Sequence, residues 1–253
     1  MDINNNKTLL MKRYFVIFAY DGTNYHGWQV QSNGNSVQAE LQNALSTILR
    51  NNIEVVGAGR TDAGDHARKM TAHFETQIEI DCKQLSYKLN RLLPRDISVY
   101  DVYPVADDMH ARFSAKLRTY HYYIHTRKNP FLRHYSCELH YQLDFDLMNQ
   151  AAARLLAVDD FGAFCKAHAD VKTTLCNVTE AVWVRDADDA WHFRISANRF
   201  LRNMVRAVVG TLIEVGRHRM TLQQFDDVVA SGSRSNAGES MPGNALFLED
   251  VKY

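Results

Sequence analysis

The sequence predicts an α+β chain made of two consecutive β-α-β-β-α-β units, on three observations. Apolar residues recur every second position in some stretches and at helical spacing in others, and the two kinds of stretch alternate. Capping residues precede the helical stretches, and Gly or Pro follows several of them. The order of elements then repeats after a basic connector at residues 112–116.

Residues 13–20 contain Tyr14, Phe15, Val16, Ile17 and Phe18, a strongly β-favouring run closed by the turn Asp21-Gly22-Thr23. Asn35 or Ser36 can cap a helix whose apolar positions Val37, Leu41, Ala44, Leu45 and Ile48 fall on one face. Ile53, Val55 and Val56 form a short strand, and Met70, Ala72, Phe74 and Thr76 alternate along the next. Asp81 caps a helix carrying Leu85, Leu89 and Leu92 that Pro94 stops, and residues 97–103 make a further strand.

In the second half, residues 119–126 read as a strand and Asp144 caps a helix with Leu147, Ala151 and Leu155. Residues 177–185 and 191–196 form a hairpin, and residues 200–215 a helix ended by Gly216. Thr221 and Gln224 make a capping box for another helix, and residues 245–251 are the last strand. Two tandem ferredoxin-like units follow, each an antiparallel sheet with helices on one face, with the active-site cleft between them. The boundaries predicted are a flexible extension over 1–12, one α+β domain over 13–112 and a second over 113–253. The repeat is one of architecture, since the halves share no visible sequence identity.

With 253 residues, 46% of them hydrophobic, the chain can bury a sizeable core. No apolar run is long enough for a signal segment or a membrane span, which predicts a cytoplasmic protein without membrane association. Cys82, Cys137, Cys165 and Cys176 lie far apart and read as free thiols, neither a disulfide framework nor a zinc knuckle. The eleven histidines show no metal-ligand spacing, so no metal is expected. Basic and acidic residues number 29 each, but the basic ones bunch at 112–133 and 199–219, consistent with a basic cleft on a neutral chain.

Between the two strands of the first half lies the stretch Gly57-Ala58-Gly59-Arg60-Thr61-Asp62-Ala63-Gly64. Small residues let another group approach its backbone closely, and Arg60 and Asp62 are its only chemistry. It lacks the third glycine and following helix of a dinucleotide fingerprint and the Gly-Lys-Ser/Thr of a phosphate loop. An exposed ion pair on a tight turn and a reactive carboxylate on a rigid mount both fit. Arg199, Arg202 and Arg206, at i, i+3 and i+7, are expected on one face near the start of the helix over 200–215. Cations are disfavoured there, so either an anion such as Asp62 or a phosphate lies opposite, or the stripe is simply solvated. Tyr120 and Tyr122 face the same way from one strand, where a ring can stack on a base or pack in the core.

The loop 57–64 and the preceding Tyr20-Asp21-Gly22-Thr23-Asn24-Tyr25-His26-Gly27-Trp28-Gln29-Val30-Gln31 resemble the TruA family of tRNA pseudouridine synthases. The likeness continues through Phe113-Ser114-Ala115, Arg118-x-Tyr120-x-Tyr122, residues 198–206 with Val209-Gly210-Thr211-Leu212, and Pro242 ahead of Leu246-Phe247-Leu248. These blocks run in the family's order from about residue 13 to the end of the chain.

The resemblance implies conversion of uridine to pseudouridine at positions 38, 39 and 40 in the anticodon arm of tRNA. It also implies a homodimer that uses no metal or organic cofactor. By motif position, Asp62 would be the catalytic aspartate and Tyr120 the ring against the target uracil. Arg206 would pair with the Asp62 carboxylate, and Arg60 would contact RNA and hold the flipped nucleotide. Leu246 would line the base pocket, and Arg202 would join the binding set. Two departures stand out: Asp65 where valine is usual, expected to point outward into solvent, and Ala245 where glycine is usual before the pocket leucine. A catalytically inactive RNA-binding module on the same basic cleft is the alternative, but it would have no need of an aspartate in a small-residue loop.

Overall fold

The computed structural model describes residues 10–32, 34–166 and 171–253. Most of the predicted N-terminal extension, residues 1–9, lies outside them. Nine strands are described: β1 (Lys12–Tyr20), β2 (Val55–Gly57), β3 (His66–Thr76), β4 (Ile97–Val105), β5 (Leu117–His125), β6 (Cys137–Glu138), β7 (Val178–Ala187), β8 (Ala190–Ala197) and β9 (Leu246–Lys252). The five α-helices among the described residues are α1 (Val37–Leu49), α2 (Cys82–Leu92), α3 (Phe145–Arg154), α4 (Met204–Gly216) and α5 (Leu222–Ser231). No helix among them is long and apolar enough to cross a membrane.

Local chemistry sets the helix starts. Ser36 Oγ accepts from Ala39 N–H, Asp81 from Gln84 N–H and Asp144 from Leu147 N–H, satisfying donors that the first turn leaves free. Thr221 and Gln224 form the reciprocal capping box of α5. In α2 the buried face is Leu85 and Leu89; Leu92 is exposed and Leu93 buried, because the chain turns extended at Leu93 ahead of Pro94.

All nine strands belong to one mostly antiparallel sheet, with principal order β4-β1-β3-β9-β5-β8-β7, where two sheets were expected. The halves join where β3 and β9 run parallel over two residue pairs, His66 with Phe247 and Ala67 with Leu248. Closing that seam buries two edges that would otherwise present unpaired backbone groups. On β5, alternation buries Arg118, Tyr120, Tyr122 and Ile124 on one face and leaves Thr119, His121 and Tyr123 half-buried on the other. Helix α4 is apolar almost all round, as a helix enclosed by the core must be. Cys165 and Cys176 are buried, and all four cysteines are free.

His73, on β3, is buried and accepts a hydrogen bond from Ala111 N–H at Nδ1 (3.1 Å). Burial, with His110 and Arg13 nearby, pushes its imidazole from the ordinary 6.5 down to about 4. Unfolding frees it to take a proton near 6.5, so its contribution is complete above that pH and drains as pH falls towards about 4. The melting temperature should fall across that window, and His73→Asn, which keeps an acceptor but cannot titrate, should flatten the fall. Parallel pH-dependent slopes for the two proteins would exclude His73 as the source.

Candidate active site

Loop 58–65 leaves β2 and enters β3, held on all sides by its backbone. Ala58 N–H donates to Thr71 O (2.8 Å), Trp28 N–H to Thr61 O (3.3 Å) and Gly64 N–H to Tyr25 O (3.3 Å). The hydroxyls of Tyr20 and Thr61 share a hydrogen bond of 2.9 Å in the core. Two glycines make the contact with the segment after β1 close enough. A Cβ on Gly22 would lie 1.9 Å from Asp65 O, and one on Gly27, whose φ is +94°, 2.4 Å from Thr61 O. The motif around residues 20–31 and the loop around 57–64 are thus two halves of one packed unit.

The second half of the chain supplies the cations. Arg206, in the first turn of α4, brings Nη1 to 3.8 Å from Asp62 Oδ2, and Arg202 brings Nε to 3.4 Å from Oδ1. Arg206 is the better-sheltered partner, with a side chain 21% exposed against 59% for Arg202. An exposed pair contributes little, so Arg206 carries most of the interaction. Its Nε also donates to Met241 O, which fixes the guanidinium beside the carboxylate.

The expected common face of Arg199, Arg202 and Arg206 is not formed. Asn203 adopts φ +67°, a left-handed conformation that interrupts the helix, so α4 starts at Met204 and the first two arginines lie on the loop before it. That break turns Arg202 to the same carboxylate that Arg206 reaches.

Tyr120 is buried, and its ring meets Phe200 edge-on at 5.0 Å. Burial raises its phenol above the ordinary range, and the nearby Asp65 and Asp62 reinforce the shift, so it remains protonated. Leu246 is buried at the start of β9, opposite Tyr122, whose hydroxyl donates to Pro242 O (2.9 Å). Ala245 is fully buried just before it. Arg60 is exposed, and its side chain makes no hydrogen bond among the described residues. The structure therefore groups Asp62, Arg202 and Arg206 directly and sets Tyr120 in the wall beside them. Two shallow depressions of about 320 and 310 Å³ lie elsewhere, one against α5 and one by Asp21 and His66. Neither includes Asp62, so it is side-chain convergence that marks the site.

Three supporting residues escape a reading of spacing alone. Arg118 is buried and donates to Ala58 O, Arg112 O, Ala115 O and Asn198 O. A cation in register with Tyr120, Tyr122 and Ile124 on the buried face of a strand was the available signal. His66 accepts from Gly22 N–H at Nδ1 and donates from Nε2 to Asn244 O, both at 3.0 Å. Asp21 Oδ1 lies 3.1 Å from that same Nδ1, but the Gly22 N–H occupies its lone pair and burial lowers the pKa, so the ring is neutral. Asp65, expected in solvent, is buried instead, because its Oδ2 accepts the Asp62 N–H (2.8 Å) inside the loop.

A family model described as tRNA pseudouridine synthase matches residues 16–114 and 151–253. A protein of Bacteroides thetaiotaomicron named tRNA pseudouridine synthase A is 54% identical over 245 residues, covering 96% of this chain and 91% of that protein. The protein of the same name from Bacteroides fragilis is 53% identical over 244 residues, covering 96% and 97%. That from Porphyromonas gingivalis is 49% identical over 246 residues, covering 96% and 98%.

Proposed function

The chain belongs to the tRNA pseudouridine synthase family, and we propose that Asp62 is the nucleophile with which it acts on uridines 38, 39 and 40 of the anticodon arm. It is an isomerase that converts uridine to pseudouridine in tRNA. The observation that carries the assignment of Asp62 is its carboxylate, presented by a backbone-pinned loop of the first half to Arg206 and Arg202 of the second.

The reaction needs a nucleophile and a way to hold a base that has left its glycosidic bond. The uridine first leaves the stack, at a cost of a few kcal/mol that contacts to the RNA backbone offset. The charged carboxylate of Asp62 then adds to C6 of the uracil or to C1′ of the ribose. The bond from N1 to C1′ breaks, the base turns and C5 bonds to C1′; the C5 proton is lost to solvent, N1 takes up a proton in its place, and the bond to Asp62 breaks. Either route uses a charged Asp62, and the Arg206 guanidinium stands beside its carboxylate. Tyr120 and Leu246 wall the base, while Arg60 and Arg202 hold the RNA backbone. The two tandem units divide the work, the first carrying the Asp62 loop and the second the tyrosine and arginines. The resemblance extends this reading to a cytoplasmic homodimer without metal or organic cofactor.

The choice of nucleotides is tested with tRNA transcripts tritiated at uracil C5. Release is expected from transcripts whose only uridine in the segment is at 38, 39 or 40, and none when all three are cytidine. Equal release from the cytidine-substituted transcript would place the target elsewhere. No release from any tRNA, with binding intact, would make the chain an RNA-binding module.

A further inference from the structure

The turn that displays Asp62 is closed by one residue, Asp65, through two hydrogen bonds. Asp65 N–H donates to Asp62 O (3.1 Å), and Asp62 N–H donates to Asp65 Oδ2 (2.8 Å). Both backbone polar groups of Asp62 are thus held by Asp65, and the direction of the Asp62 side chain follows from that clamp. The other carboxyl oxygen, Oδ1, is buried and has no hydrogen-bond partner among the described residues. It lies against Gly243, where an added Cβ would come within 2.7 Å of it. Gly243 stands three residues before Leu246, so Asp65 packs between the Asp62 loop and the approach to the base pocket.

An ionised carboxylate does not suit this position. It would leave one oxygen desolvated and unpaired, and would set a second negative charge in the same turn as Asp62. The groups that face it from the surrounding elements are Asp62 on the loop, Tyr20 on β1, Tyr120 and Tyr122 on β5, and Arg206 on α4. The one cation among them, Arg206, is already held beside Asp62 and by Met241 O. A carboxylic acid with its proton on Oδ1 and its Oδ2 accepting the Asp62 N–H removes both charge penalties, leaving only the smaller cost of one buried hydroxyl with no acceptor among the described residues. Burial and the Asp62 charge push Asp65 well above the ordinary carboxylate range, in the same direction.

We propose that Asp65 is a positioning residue, a protonated carboxylic acid that aims the Asp62 carboxylate by clamping its main chain and leaves Asp62 as the single negative charge of the turn. The inference rests on the reading of Asp62 as the nucleophile. It predicts that asparagine, which keeps the acceptor and is permanently neutral, replaces Asp65 and that alanine does not.

The test is single-turnover tritium release by wild type, Asp65→Asn, Asp65→Ala and Asp62→Asn, with tRNA affinity measured for each. Infrared spectra at neutral pH complete it. Asp65→Asn should keep the rate within about threefold, and Asp65→Ala should lose about tenfold or more with tRNA affinity unchanged. The infrared difference between wild type and Asp65→Asn should contain a protonated-carboxyl C=O band. Wild-type turnover by Asp65→Ala, inactivity of Asp65→Asn matching that of Asp62→Asn, or absence of the band would each overturn the proposal. Should Asp65→Ala fail to fold, the asparagine variant and the band still decide. Full turnover by Asp62→Asn would instead overturn the nucleophile reading itself, so the two failures remain distinct.

Discussion

Asp62→Asn should abolish tritium release from uracil C5, by at least about a thousandfold, because an amide is no nucleophile and the loop offers no second carboxylate to replace it. Asp65 cannot substitute, since it is buried and already engaged with the Asp62 backbone. Binding should survive. The Asp62 side chain is partly exposed and its position is fixed by main-chain bonds that asparagine retains, so the loop keeps its shape. Removing the carboxylate also leaves Arg202 and Arg206 without their anion, which leaves tRNA affinity the same or slightly tighter. The check is tritium release alongside tRNA binding and a thermal melt. Undiminished release would remove Asp62 from the chemistry. Loss of release together with loss of binding and stability would make it structural.

The parts legible in the sequence are those written in short-range chemistry. Ser36, Asp81, Asp144 and Thr221 each stand where a helix needs a cap, and each caps one. The loop of small residues lies between two strands because periodicity on both sides changes there. The single sheet was not legible, because β3 and β9 meet through only two residue pairs about 180 residues apart in the sequence, His66 with Phe247 and Ala67 with Leu248. Nothing local distinguishes two sheets side by side from one sheet sharing an edge.

Side-chain placement failed for reasons that are equally physical. Arg199, Arg202 and Arg206 fit a helical spacing that one left-handed residue, Asn203, cancels, and asparagine is among the few residues that adopt that conformation readily. Asp65 looked like a solvated turn residue because charged side chains seldom lie inside. Its burial depends on a partner, the Asp62 N–H, that is visible only once the turn is closed.

Arg118 shows how a buried cation can hold the two halves in register, and its replacement should give the largest loss of stability. Its guanidinium reaches the loop at Ala58 O (2.8 Å), the connector at Arg112 O (2.6 Å) and the segment before α4 at Asn198 O (2.6 Å). Those three segments carry the Asp62 loop, the entry to the second half and the approach to the arginines of the site. Arg118→Met keeps the apolar stem but leaves these carbonyls buried without a donor. A loss on the order of 3–5 kcal/mol follows, roughly 6–20 °C in melting temperature for a chain of this size. Arg118→Lys should fall between, because one ammonium cannot span carbonyls that the planar fork reaches together. Turnover of the folded fraction should drop as well, since Ala58 O tethers the loop that carries Asp62. A melting temperature for Arg118→Met within about 2 °C of wild type, on the same scale, would show that water replaces the guanidinium and that the halves are held by the sheet seam alone.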